Sequence, residues 1–487
     1  MPHFKEPASS RGQVMLFPPS LDELVPLESE VRLLDEAMDS MDWSILESSY
    51  SEIGRPAYHP RAVAKALVYA YSKGIRSSRR IAEMVANDVR FIWLCEGDRP
   101  DYHTIARFRK DKFGELGELF VESVRLCARA GLVLLRSVSA DGSKLRANVS
   151  RSSLYDEERL CKEREAIERI LREAEAVDAE EDQLYGDRDG CELPEEMKDP
   201  VVRRQKLAEL AEQLREQKRK TISESDPECR MMMSTQGVHP AYNVQAAVDA
   251  ENQVIVAASV TNAERDHEQL PELLDQMEEN TGLSAGVVLA DAGYSSESTL
   301  TELALRGQEA LIPACGDHKN QAVTSPFAAD KFELNRKRDV LVCPAGRELG
   351  FRHEHRKGSG TYRRYAATGC RSCRFHSECV PSGRASRCVD RSVIAELRRD
   401  MRQKLNTPEG KALFAARKAT VEPVFGRIKQ NWGMRRLVLR GLNGAAAEVY
   451  LAATAHNLMK WVAAQAADAL SRILQSNTMT RAHCLTQ

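Results

Sequence analysis

The stretch that most constrains this chain is Val287-Val288-Leu289-Ala290-Asp291-Ala292-Gly293-Tyr294. Four apolar residues run into a carboxylate and a glycine turn, the pattern of a strand buried on both faces and ending at an exposed rim. An acid at the carboxyl end of such a strand stands where open α/β sheets place ligands. An equally ordinary reading makes Asp291 a cap for the next helix, Ser295 to Arg306. Two distant stretches have matching character. Val138-Ser139-Ala140-Asp141-Gly142-Ser143-Lys144 follows an apolar lead-in, Leu132 to Leu135, and Asp-Gly is by itself a common turn signal. Lys418 to Lys429 carries Glu422 in a helical pattern among basic residues, where a solvated ion pair is the default.

Each acid therefore has a plain explanation. Together they offer two aspartates and a glutamate at element edges. Three carboxylates brought together cannot all stay ionised without a counter-charge. A hard divalent cation such as Mg²⁺ takes oxygen ligands and shares its shell with phosphate oxygens. Two such ions about 3.5–4 Å apart suit in-line displacement at a phosphodiester.

The three stretches resemble the signature of bacterial insertion-sequence transposases of the DDE type. Ala140 to Asn148 is similar to that family's first-Asp stretch, Ala241 to Asp249 to its second strand, Ala290 to Ser296 to its second-Asp stretch, and Arg417 to Gly441 to its third-acid helix. The resemblance implies an α/β (mixed α+β) chain whose core is an RNase H-like five-stranded mixed sheet flanked by helices. It also implies that Asp141, Asp291 and Glu422 are catalytic and hold Mg²⁺ (or Mn²⁺), with Arg417 and Lys429 touching DNA near the cut. Where relatives often carry tyrosine three residues before that arginine, this chain has Phe414, which departs from the pattern and puts a hydroxyl role there in doubt. The implied partner is double-stranded DNA, both terminal inverted repeats and target, held by a homodimer. Localisation is expected to be cytoplasmic, at the bacterial nucleoid.

A chain of 487 residues has room for several domains, and its net charge of -2 does not advertise nucleic-acid binding. Charge is patchy instead. Neither a signal pattern nor an 18-residue apolar run is present, so no membrane span is expected. Residues 1–20 are expected to be a loose arm. Residues 21–131 have helical periodicity, with starts near His59-Pro60, Ser77-Ser78 and Asp101. Arg79, Arg80, Arg107 and Arg109 near those starts suggest a helix-turn-helix-like DNA-binding domain, against the plain alternative of a helical bundle with a basic face. The catalytic domain is assembled from 132–150, 236–314 and 409–466. A charged helical or coiled-coil insertion fills 151–235, a Cys-rich insertion 315–408, and a tail 467–487. Tyr242–Asp249 and Val254–Val260 are expected to form a hairpin, followed by a helix from Thr261 to Glu279. Asp249 and Asp266 fit turn and cap roles better than catalysis.

The third acid lies in the most basic stretch, which includes Arg417, Lys418, Arg427, Lys429, Arg435 and Arg436; a phosphate partner accounts for that excess. Trp432 fits a core position better than base stacking. Ala445 to Ala466 is expected to pack on the sheet. Of the twelve cysteines, Cys370 and Cys373 form a C-x2-C pair that Cys343 and Cys379 complete as a structural Zn²⁺ site; idle thiols or a redox pair are the alternatives. Arginines around it suggest a basic knuckle on the DNA backbone. The scattered cysteines, including Cys191 and Cys315, fit buried thiols. Two further functions stay open: a non-catalytic or domesticated DNA-binding relative of a transposase, and a nuclease that cuts without joining.

Overall fold

The computed structural model describes residues 20–50, 56–185, 195–234, 237–314, 326–357 and 360–484. The expected arm at 1–20, apart from Ser20, lies outside them, as do Cys191, Cys315 and the last three residues of the tail. Contacts divide the chain into two units, one reaching to Leu126 and resuming at Tyr450, the other running from Cys127 to Val449.

The first unit is helical. It contains α1 (Glu30–Asp39), α2 (Ser44–Ser48), α3 (Pro60–Ser72), α4 (Ser78–Asn87), α5 (Val89–Leu94) and α6 (Tyr102–Asp111), with α7 (Phe113–Arg129) leading out of it. Pro60 occupies the first turn of α3, and the Asp101 carboxylate caps α6 by accepting from Thr104 N at 2.7 Å. Residues 62–71 of α3 are all buried. One of them is Lys65, whose ammonium lies 2.6 Å from both Asp35 and Asp39, so the charge is buried but paired.

The second unit is built on a six-stranded mixed sheet. Its strands are β1 (Ser137–Arg146), β4 (Arg230–Ser234), β5 (Gly237–Asp249), β6 (Ile255–Thr261), β7 (Val287–Ala290) and β8 (Ala310–Leu311), in the order β4-β5-β1-β7-β8 with β6 also paired to β5. Between β1 and β4 lie β2 (Leu154–Tyr155), α8 (Glu157–Tyr185), α9 (Glu195–Glu216) and β3 (Ile222–Ser223). Leu160 of α8 packs with Leu207, Leu210 and Leu214 of α9, so the two charged helices lie against each other.

Several boundaries differ from the sequence reading. The sheet has six strands, not five, because the chain entering β5 also pairs with β4. β1 starts later than Leu132: Leu135 has φ 51, which breaks extended structure, and the strand runs on past Asp141 to Arg146. The helix expected from Thr261 begins only at α10 (Gln269–Thr281), leaving Asp266 on a loop. α11 (Glu297–Leu305) is capped by Ser296 rather than Asp291.

A second, five-stranded antiparallel sheet holds β9 (Glu333–Asn335), β10 (Val340–Val342), β11 (Glu348–Lys357), β12 (Gly360–Ala367) and β13 (Cys388–Ser392), with α12 (His376–Cys379) beside it. Its core is small: Phe332, Leu341, Leu349, Tyr365 and Val389 with a few neighbours. α13 (Ala395–Asn406) and α14 (Pro408–Gly426) return to the first sheet, and a π-helical turn, Arg427–Asn431, follows. α15 (Gly441–Cys484) ends the described chain. From Tyr450 it belongs to the first unit, where the Tyr450 ring stacks on Phe120 at 5.9 Å, so Ala445–Ala466 is not wholly a sheet-packing helix.

Asp249 shows how tightly the β5–β6 turn is fixed. Its Oδ1 accepts from the backbone N–H of Leu134 and Leu135 at 3.2 and 2.9 Å, and its Oδ2 from Glu251 and Asn252 at 3.2 and 3.1 Å. The side chain is wholly buried, in keeping with the turn role. Asp249→Ala leaves these donors without an acceptor and is expected to destabilise the chain by about 2–3 kcal/mol, read as a lower urea midpoint.

Candidate active site

Parallel pairing sets the site. Ser137 to Ala140 of β1 lie opposite Val287 to Ala290 of β7, residue for residue. β7 stops there, so Asp141 and Asp291 follow the last pair side by side. β7 is apolar because it is covered on both faces: Val288, Leu289 and Ala290 are fully buried. One oxygen of each carboxylate is tied to backbone, Asp141 Oδ1 to Gly142 N at 2.9 Å and Asp291 Oδ1 to Gly293 N at 2.8 Å. The cap reading of Asp291 is thus realised on a single 3-10 turn, Ala292–Tyr294, and is compatible with a second role.

Burial raises the Asp141 carboxyl to about 6; Arg417 pulls it down, while Asp291 and Asp266 push it up. Arg417 comes from α14, with its NH1 3.5 Å from Asp141 Oδ2. Its side chain is only 9% exposed, and both Nε and NH1 lack a hydrogen-bond partner. A buried guanidinium with unused donors beside a carboxylate suits an anion that is itself brought in, such as phosphate. Lys429, from the π turn, hydrogen-bonds to Ser143 Oγ, and burial lowers its pKa despite the attraction of Asp141.

Glu422 is not brought to the aspartates. It is exposed, while Arg417, Thr420, Val421 and Val424 form the buried face of α14. In an unbroken α-helix Glu422 and Lys429 stand only about 20° apart, and Arg417 and Lys429 about 120°. The π turn inserts extra chain per revolution and re-phases Lys429 toward β1 without Glu422. Among the described residues, no three His, Cys, Asp or Glu side chains close on a common point in ligating geometry. Asp141 and Asp291 nevertheless fit a hard divalent ion by donor chemistry, as paired oxygen ligands at a rim.

Asp266 was undervalued by the sequence reading. It caps nothing. Its Oδ1 accepts from Lys144 Nζ at 3.0 Å, Asn243 Nδ2 at 2.6 Å and Gln245 Nε2 at 2.7 Å. Gln245 in turn accepts from the buried Tyr294 hydroxyl, which ties the turn after Asp291 to the middle of β5. A Cβ on Gly142 would lie 2.6 Å from both Asp266 Oδ1 and Gln245 Nε2, so any larger residue there would have to displace that network. The alternation of polar Asn243 and Gln245 within an otherwise apolar strand was the available signal.

The other expected site residues divide. Lys418, Arg435 and Arg436 are exposed and Arg427 is half-buried. Arg79, Arg80 and Arg107 are exposed in the first unit, with Arg79 over the Tyr102 ring at 5.3 Å. Arg109 is not available to DNA: it is 1% exposed and bonds to Tyr71, Ser78 and the Arg76 carbonyl, acting as an internal strut. Trp432 is buried. Cys343, Cys370, Cys373 and Cys379 line one cavity of about 20 Å³ and form no disulfide. Backbone N–H groups of Arg347 and Arg387 point at Cys343 and Cys370 Sγ, at 3.3 and 3.5 Å. The basic-knuckle expectation weakens nearby, since Arg336, Arg338, Arg363 and Arg364 pair with Glu396, Glu348, Asp339 and Asp390.

At Asp141 the folded chain retains a proton that the unfolded chain has released between pH 3.8 and about 6. Stability contributed by this group is therefore lost as pH rises through that window. Asp141→Asn is expected to stabilise the chain by about 2 kcal/mol at neutral pH and to change nothing below about pH 4, measured by denaturant unfolding across pH.

Two sequence families match the chain. One, described as Transposase domain (DUF772), covers residues 19–111. The other, described as Transposase DDE domain, covers residues 342–462, from the Cys-rich sheet through Arg417, Glu422 and Lys429. No curated protein matches. No helix among the described residues is long and apolar enough to cross a membrane. Both matches are to transposase domains, and together they support an insertion-sequence transposase of the DDE type.

Proposed function

We propose that this transposase binds the ends of an insertion sequence, cuts DNA there and joins the freed 3′ end to target DNA. Asp141, Asp291 and Glu422 hold Mg²⁺ (or Mn²⁺) in an RNase H-like domain. The observation that carries the reading is the adjacent pair Asp141 and Asp291 beneath Arg417, a buried arginine with unused donors. A divalent ion held there supplies Lewis-acid activation of the attacking oxygen and stabilises the leaving one. Arg417 donates to a non-bridging phosphate oxygen, and Lys429 adds positive charge over Ser143. Glu422 is retained on the family signature. The helix that carries it is irregular directly afterwards, at Pro423 and at the π turn.

The helical unit holds duplex DNA through Arg79, Arg80 and Arg107, and Lys418, Arg427, Lys429, Arg435 and Arg436 add contacts near the cut. Two element ends must be handled together, which favours a homodimer on DNA at the bacterial nucleoid. Incubating the chain with Mg²⁺ and DNA carrying the element's ends tests this. Cleavage and joining are expected, with a loss of about a thousandfold or more in Asp141→Ala, Asp291→Ala and Glu422→Ala. Binding without nicking leaves a non-catalytic relative, and nicking without joining a nuclease.

The Cys-rich sheet has a small core, and we infer that Cys343, Cys370, Cys373 and Cys379 hold a structural Zn²⁺. The thiol donor set, the shared cavity and the N–H groups aimed at sulfur support it. Purified chain is expected to contain about one zinc per molecule by elemental analysis, lost in Cys370→Ser together with a lower melting temperature. Metal-free protein of unchanged stability overturns the inference.

A further inference from the structure

From Asp141 onward β1 has lost its neighbour β7, and the next chain along that edge arrives only at Arg146. There Arg146 N donates to Arg435 O at 3.2 Å and Leu437 N to Arg146 O at 2.8 Å. The gap is a groove of about 470 Å³, lined by Ser143, Lys144, Arg146, Lys429, Gln430 and Arg435 among others. Four of these are cations, and no acid lines the groove. It begins at Gly142, next to Asp141.

Resting on the transposase reading above, we propose that this groove seats the sugar–phosphate backbone of the DNA strand adjoining the cut, with Lys144 and Arg146 as phosphate contacts. The two residues are on one face of β1, about 6.6 Å apart along the strand, on the order of the spacing of successive phosphates. Both are held from behind. Lys144 is anchored 3.0 Å from Asp266, inside the Asn243–Gln245 network, and Arg146 NH2 lies 2.9 Å from His239 Nε2. Fixed long side chains lose little further entropy when a phosphate arrives. Lys429 shares the groove with the like charges of Lys144, Arg146 and Arg435. A polyanion relieves that crowding, and the groove leads it toward the aspartates.

The test is binding of a fluorescein-labelled DNA duplex with a single-stranded 3′ tail to the full chain, followed by anisotropy over a salt series. Lys144→Gln/Arg146→Gln is expected to bind about tenfold more weakly at low salt. Its slope of log K against log salt should be shallower by about 2. A charge-matched control, Lys162→Gln/Lys404→Gln, should keep the parent slope; these lysines are exposed and paired with Glu158 and Glu309. The charge-preserving swap Lys144→Arg/Arg146→Lys should restore it, which separates lost charge from lost folding. A glutamine variant with the parent slope, in a chain that still binds and cleaves, overturns the groove assignment and leaves the transposase reading intact. A parent chain that binds no DNA at any salt overturns that reading itself.

Discussion

Parallel pairing of Ser137–Ala140 with Val287–Ala290 is the interaction on which the rest depends. In a parallel ladder with matched ends, the residues after the last pair become neighbours however long the intervening chain. Here both are aspartates, emerging about 4.8 Å apart in the strand-to-strand direction. Burial is the chief cause of the raised Asp141, and repulsion from Asp291 adds to it. The sheet tolerates this because α14 carries Arg417 into the same space, next to a ladder that is apolar except for Ser137 and Ser139. The energetic strain of the site thus sits on a rigid foundation, as preorganised charge requires.

The helix that answers those acids is irregular for reasons visible in its residues. Pro423 has no N–H, so the Ala419 carbonyl loses its helical partner and accepts from Gln253 Nε2 at 3.1 Å instead. That bond ties α14 to the β5–β6 turn. Four residues on, the chain widens into a π turn, which swings Lys429 onto β1. A regular helix presents one face along its length; this one presents Arg417 and Lys429 to the same strand although α-helical spacing sets them far apart.

Much of this was legible in the residues. The apolar run before Asp291, the helical starts at Pro60 and Asp101, the hairpin around Asp249 and the charged helices α8 and α9 each obey a local rule that packing did not override. What was not legible needed three dimensions. Nothing local says that β1 continues past Asp141, because Gly-Ser-Lys is poor strand sequence; Gly142 is there for the close approach of Asp266 and Gln245. Arg109 looked like a surface base by spacing, but its burial is set by Tyr71 and Ser78 on other helices. Asp266 looked like a cap because a periodic helix follows within three residues, yet its partners come from β1 and β5.

A net charge of -2 conceals how charge is distributed. The helices α8 and α9 are rich in acids, whereas the rim of the main sheet collects Lys144, Arg146, Arg417, Lys429 and Arg435. Potential at a site depends on charges within about a Debye length, roughly 8 Å at physiological salt, so at the rim the acids that offset these cations are Asp141 beside Arg417 and Asp266 beside Lys144.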